Sequence, residues 1–176
     1  MVKRYFLIAL LLGISSNVTA SIDWSSPSTC NIEGSNNLDE IINQMTLRQK
    51  IGQIIMPDIQ YVTPEEAKKY QLGSILNGGG SWPNNKKTST VQDWQNLSKA
   101  YYDASPVIGD QIVPIIWGTD AVHGHSNVIG ATVFPHNIGI GATQDTDLIK
   151  RIAGVVAKEV LSTGIVWTFA PTITVP

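Results

Sequence analysis

From Leu38 onward the apolar side chains alternate between helical spacing and short unbroken runs. Leu38, Ile41, Ile42 and Met45 lie at i, i+3, i+4 and i+7 and predict a helix face. Thr46-Leu47-Arg48-Gln49 reads as a capping box opening a second helical segment, and the apolar run Ile54-Ile55-Met56 follows. Thr63-Pro64-Glu65-Glu66 supplies an N-cap, a first-turn proline and a glutamate at the third helical position, which predicts a short helix to about Tyr70. Leu72 to Leu76 then reads as a buried strand running into the glycine loop Asn77-Gly78-Gly79-Gly80-Ser81-Trp82-Pro83. A helix is predicted from Thr90, with Val91, Trp94, Leu97 and Tyr101 on one stripe, before a strand over Val113 to Trp117. Asp147 to Thr163 gives the clearest helix, with Leu148, Ile152, Val155, Val156 and Val160 on its apolar face, Thr146 as cap and Gly164 as stop. Ile165 to Ala170 reads as a further strand. Strand, glycine-rich loop, helix and strand in repetition indicate an α/β fold with a mostly parallel sheet.

Composition places this pattern in a globular chain. Of 176 residues, 43% are hydrophobic and 15% charged, with a formal net charge of −2, which excludes a disordered or collagen-like chain. Residues 1–20 are set apart as a secretory signal peptide: Lys3 and Arg4 precede an apolar run from Tyr5 to Leu12, and Val18-x-Ala20 supplies the small side chains of a cleavage site. That run is too short to span a bilayer, which needs about 20 residues. Residues 21–37, rich in Ser, Asn and Pro, are predicted to form an extended lead-in, and 38–176 the folded part. The expectation is therefore an exported protein, periplasmic or extracellular, without a membrane segment once the signal is removed. A mildly acidic chain is also a poor partner for nucleic acid. Cys30 has no second cysteine to pair with, so stability is expected from packing.

In parallel α/β folds the functional loops leave the carboxyl ends of the strands, here after Leu76, Trp117 and Ala170. Asp120, in Trp117-Gly118-Thr119-Asp120-Ala121-Val122-His123-Gly124-His125, is the acidic residue nearest such an end, and Asp58 after Met56-Pro57 is a weaker rival. His123 and His125 stand two apart, but a catalytic zinc takes three protein ligands, and the remaining His136 sits beside a proline without an acidic neighbour. Structural histidines, no metal and no cofactor are expected. The Gly78–Gly80 run lacks the G-x-G-x-x-G spacing and any Gly-Lys-Ser/Thr, which argues against a nucleotide. No Gly-x-Ser-x-Gly elbow is present, so no nucleophile triad is legible. Trp82 and Trp117 lie at or beside strand ends, where an indole either stacks on a sugar ring or packs in the core.

Several of these segments together resemble glycoside hydrolase family 3, most closely its bacterial β-glucosidases and plant-type exo-β-glucanases. They are Lys50-Ile51-Gly52-Gln53, Leu72 to Gly80, Gly118 to Gly124, Gly130 to Gly139 and Phe169-Ala170-Pro171, and the resemblance covers about residues 38–176. It implies the N-terminal part of a (β/α)8 TIM-like barrel, truncated here, since a closed barrel has eight β/α units and roughly 250 residues. It also implies exo-acting, retaining hydrolysis of terminal β-D-glucosyl residues from a β-glucoside or β-glucan oligosaccharide. By motif, Asp120 matches the aspartate that hydrogen-bonds hydroxyls of the non-reducing-end glucose. The family's nucleophile and acid/base belong to positions downstream of this chain, so no catalytic residue is expected within it. The alternative expectation is a non-catalytic truncated product with at most weak sugar binding.

Overall fold

The computed structural model describes residues 38–172; the expected signal peptide, lead-in and Cys30 lie outside them. The chain opens with α1 (Leu38–Gln44) and α2 (Leu47–Gln53), and α2 begins at the expected capping box. The Gln49 amide donates to Thr46 Oγ1 at 3.2 Å while the Thr46 amide donates to Gln49 Oε1 at 2.9 Å, so two orphan N–H groups are satisfied at once. The same reciprocal pair, Thr63 with Glu66, opens α3 (Pro64–Tyr70). Strand β1 (Ser74–Asn77) leads through the glycine loop to α4 (Val91–Asp103), which Thr90 and Asp93 cap in the same way. A short antiparallel hairpin, β2 (Val107–Ile108) and β3 (Gln111–Ile112), precedes β4 (Ile116–Thr119). Helices α5 (Asn137–Ala142) and α6 (Thr146–Ser162) then lead to β5 (Trp167–Thr168). None of the helices among the described residues is long and apolar enough to cross a membrane.

The main sheet runs β1-β4-β5, with both pairs parallel. Leu76 N–H donates to the Pro57 carbonyl at 3.0 Å and Ile59 N–H to the Leu76 carbonyl at 2.9 Å, which lays residues 57–59 alongside β1 as a further parallel segment. These four segments therefore stand side by side in chain order with helices between them, as in the first part of a TIM-like barrel. One face of the sheet carries the core. Ile75 and Trp117 are register partners, and the Trp117 ring meets Trp94 and Tyr101 of α4 at centroid distances of 5.9 and 5.6 Å. Trp94 and Ile75 are 0% exposed, and Leu72, Val156, Val160 and Ile165 close the same cluster. Trp117 is thus core, and its indole is unavailable to a ligand.

The opposite face, of alternate parity along each strand, carries Leu76, Gly118 and Trp167. A Cβ on Gly118 would meet the Phe169 ring at 2.6 Å and Met56 Cε at 2.9 Å, so glycine is what lets these two side chains close over β4. Exposed Ile116 and Trp167 lie on this inner face as well.

Several predicted boundaries move. The strand expected over Val113 to Trp117 is found at Ile116–Thr119, because Val113 N–H donates to the Pro106 carbonyl and Ile115 N–H to Ser105 Oγ, while Pro114 has no N–H to give. The strand expected over Leu72 to Leu76 is found at Ser74–Asn77, and that over Ile165 to Ala170 shrinks to Trp167–Thr168. Helix α6 is capped by Asp145, which accepts the Leu148 N–H at 2.8 Å, and Thr146 becomes its first residue. Its predicted stop holds: Gly164 follows the helix at φ +81°. On α1 the apolar stripe is formed, yet none of its residues is buried.

Candidate functional site

The carboxyl ends of the parallel segments bring together Asp58, the Gly78–Ser81 loop, Asp120 and the segment from Phe169 to Thr172. Asn77 and Thr119 are register partners, so Gly78 and Asp120 are the first residues beyond neighbouring strands at equal height. Asp120 continues the inner-face parity of Gly118 and is exposed. Among the described residues no side chain or backbone amide donates to its carboxylate, which leaves both oxygens open to a ligand.

Asp58 is in the opposite condition. Its Oδ2 accepts the Gly78 N–H at 2.9 Å, its Oδ1 accepts the Gln60 N–H at 2.8 Å, and the Ser81 hydroxyl lies 2.8 and 2.7 Å from the two oxygens. Gln60 Nε2 donates to the Gly80 carbonyl at 2.9 Å and to Ser81 Oγ at 2.6 Å, so Ser81 accepts from one neighbour and donates to the other. From the far side, Asn127 Nδ2 donates to the Gly78 carbonyl at 2.7 Å. The loop is therefore pinned by the segments before β1 and after β4, while Gly79 and Gly80 stay exposed with open space where a Cβ would stand. Half-buried Trp82 packs at the loop's far end against the core.

Behind the sheet the loops are tied by buried polar contacts. Trp117 Nε1 donates to Asn77 Oδ1 at 2.8 Å across β1 and β4. His125, 1% exposed, sits 5.7 Å from the Trp94 ring and 3.1 Å, Nε2 to Oγ1, from Thr163 at the end of α6. Thr163 gives its own hydroxyl proton to the Val160 carbonyl at 2.6 Å, so it accepts from His125 and fixes the Nε2–H tautomer. Burial drives the His125 pKa down to about 4, against a smaller opposing pull from Glu159. His123 instead donates Nδ1–H to the Phe134 carbonyl at 2.8 Å. The two imidazoles serve different partners, and among the described residues no group of three or more His, Cys, Asp or Glu side chains is placed to hold a metal ion.

Residues 46–176 match the family model described as the glycosyl hydrolase family 3 N terminal domain. The chain belongs to that family. Within family 3 it is 31% identical over 150 residues to the lysosomal beta glucosidase of Dictyostelium discoideum, an alignment covering 76% of this chain and 18% of that protein. It is 27% identical over 141 residues to the periplasmic beta-glucosidase of Salmonella typhimurium, covering 77% and 16%. The solved exo-1,3/1,4-beta-glucanase of a Pseudoalteromonas species superposes with a TM-score of 0.72 at 48% identity over 78% of this chain and 17% of that one. This family 3 chain thus spans less than a fifth of the length of the curated relatives it matches. Sequence reasoning pointed to Asp120 and the glycine loop; it missed Asp58 as the loop's anchor, because its partners Gly78 and Ser81 lie 20 and 23 positions away.

Proposed function

We propose that this chain supplies the sugar-holding wall of an exported glycoside hydrolase that removes terminal β-D-glucosyl residues from β-glucosides or β-glucan oligosaccharides. The observation that carries this reading is the open carboxylate of Asp120 at a barrel strand end, beside a side-chain-free loop. A carboxylate accepts from two adjacent sugar hydroxyls without rearrangement, and a hydrogen bond to a charged group contributes about 1.5–3 kcal/mol. The glycine loop lets a pyranose ring approach the backbone. Family membership and the β-glucosidase and β-glucanase relatives support this substrate class. The basic start, apolar run and small-residue site within residues 1–20 support export, as does a periplasmic relative.

Retaining hydrolysis needs two carboxyl groups about 5–5.5 Å apart, one attacking the anomeric carbon and one protonating the leaving oxygen. Asp58 is committed to the loop, and Asp120 is assigned to sugar hydroxyls, so neither takes those roles. On this reading the residues here bind and orient the terminal glucose, and the 176 residues alone are expected not to turn over substrate. Titration of the purified chain with methyl β-D-glucopyranoside tests this: Asp120→Asn should weaken binding about tenfold, or about 1.4 kcal/mol, with the fold retained. Unchanged affinity would remove Asp120 from the site. Hydrolysis of an aryl β-glucoside by the chain alone, abolished in Asp120→Ala, would instead place the chemistry on a carboxylate within it.

A further inference from the structure

The three central glycines of the loop carry no side chain to hold them, so the position of the Gly78–Gly80 backbone is set from outside. On one side Asp58 takes the Gly78 N–H and the Ser81 hydroxyl, and Gln60, itself bonded to Asp58 through its amide, takes the Gly80 carbonyl and Ser81 Oγ. On the other side Asn127 holds the Gly78 carbonyl. With Gly78 and Ser81 engaged in this way, the N–H groups of Gly79 and Gly80 donate to no acceptor among the described residues. The register of Asn77 with Thr119 sets Gly78, where this loop begins, level with Asp120 at the end of the neighbouring strand.

We propose that Asp58 is a positioning residue of the sugar site, clamping the Gly78–Gly80 backbone beside Asp120 so that its free amides donate to a hydroxyl of the bound glucose. The inference rests on the reading of Asp120 as a sugar ligand and adds a second, donor wall to that acceptor. The pairing is chemically complementary: a sugar hydroxyl both donates and accepts, so a carboxylate on one side and N–H groups on the other satisfy both capacities. Asp58 itself need not touch the sugar, because both of its oxygens are already occupied by the loop and by Gln60. Ordering glycine, the residue with the most conformational freedom to lose, before the ligand arrives lowers the entropy cost of binding.

The experiment is a titration of the isotopically labelled 176-residue chain with methyl β-D-glucopyranoside, read by amide chemical shifts and hydrogen exchange. In the wild-type chain the sugar is expected to shift the Gly79, Gly80 and Asp120 amides. In Asp58→Ala the Gly78 amide should exchange at least about tenfold faster and affinity should fall about tenfold. The Gly79 and Gly80 shifts should vanish, the Asp120 shift should persist at higher sugar, and β1 and β4 should keep their protection. A general loss of structure would erode that strand protection as well, which separates positioning from stability. Ser81→Ala touches only the loop side of the clamp and should weaken binding about threefold. Wild-type affinity and wild-type Gly79 and Gly80 shifts in Asp58→Ala would overturn the proposal while leaving Asp120 in place. If Asp58→Ala fails to fold, an unchanged affinity in Ser81→Ala overturns it. Absence of any sugar response in the wild-type chain, with Asp120→Asn indistinguishable from it, would bring down the underlying reading and this inference with it.

Discussion

Acidification is expected to destabilise the fold through His125. The ring is 1% exposed, donates to Thr163 and packs against Trp94, an environment that admits the neutral imidazole and resists a proton. Its pKa is accordingly lowered by burial from 6.5 to about 4. In the unfolded chain the ring takes up a proton as pH falls through its ordinary value, whereas the folded chain does not until about pH 4. Between those limits protonation favours unfolding, so the stabilisation by neutral His125 is complete above pH 6.5, declines as pH falls, and is gone near pH 4. At about 1.4 kcal/mol per tenfold change in proton activity, that interval corresponds to a loss of about 3 kcal/mol at most. Urea unfolding of the wild-type chain and of His125→Gln, from about pH 7.5 to about pH 4.5, measures it. Glutamine keeps an N–H for Thr163 and cannot titrate, while the carboxylates that also respond to acid are common to both chains. The wild type should lose about 2–3 kcal/mol more than the variant over that range. Parallel curves would refute the reasoning, and so would an imidazole resonance of His125 that titrates near its ordinary value in the folded chain.

Two further substitutions test the packing on either side of the sheet. Gly118→Ala should cost about 1–3 kcal/mol by overpacking, since the new methyl would sit 2.6 Å from the Phe169 ring, and adding Phe169→Leu should recover part of that loss in thermal or urea unfolding. Trp117→Phe should cost about 1–3 kcal/mol beyond its lost volume, because it strands the fully buried Asn77 Oδ1 without a donor. A double-mutant cycle with Asn77→Ala checks this by showing a coupling energy of that sign, and additive losses would count against it.

What was legible in the sequence was local, and what was hidden was distant. Thr46 and Thr63 each announced a helix start because their capping signals are written within four residues, while the helix from Thr90 was read from its apolar stripe and its Thr90–Asp93 box emerged with the structure. The spacing of Val91, Trp94, Leu97 and Tyr101 likewise gave the packed face of α4, except that Val91, at its first turn, is exposed. The hairpin over Val107–Ile112 escaped notice although Gly109-Asp110 between apolar pairs is a turn signal, and Gly109 does adopt φ +58°. Helix α5, Asn-Ile-Gly-Ile-Gly-Ala, was invisible to propensity because its two glycines disfavour a helix, and Ile140 is the one residue it buries. At the site, Asp120 could be singled out because strand-end position is a sequence property. The opposite states of Asp120 and Asp58, one open and one saturated, depend on contacts with residues far along the chain, such as Gly78 and Ser81.

The shared register of β1 and β4 also governs which changes of chain length the site can survive. Gly78 and Asp120 leave the sheet level with each other only because Asn77 pairs with Thr119. Removing one residue from either strand would lower that side by about 3.3 Å and reverse every side chain beyond it. A deletion in β4 would turn Asp120 toward the helices, into the space that Trp117 and its neighbours fill, and one in β1 would drop the glycine loop out of level with that carboxylate. The recognition geometry is in this sense counted out along the strands, so that substitutions within them are negotiable in ways that a single deletion is not. The contacts that hold the loop at that level end at Ser81 on its own strand's side and at Asn127 on the other.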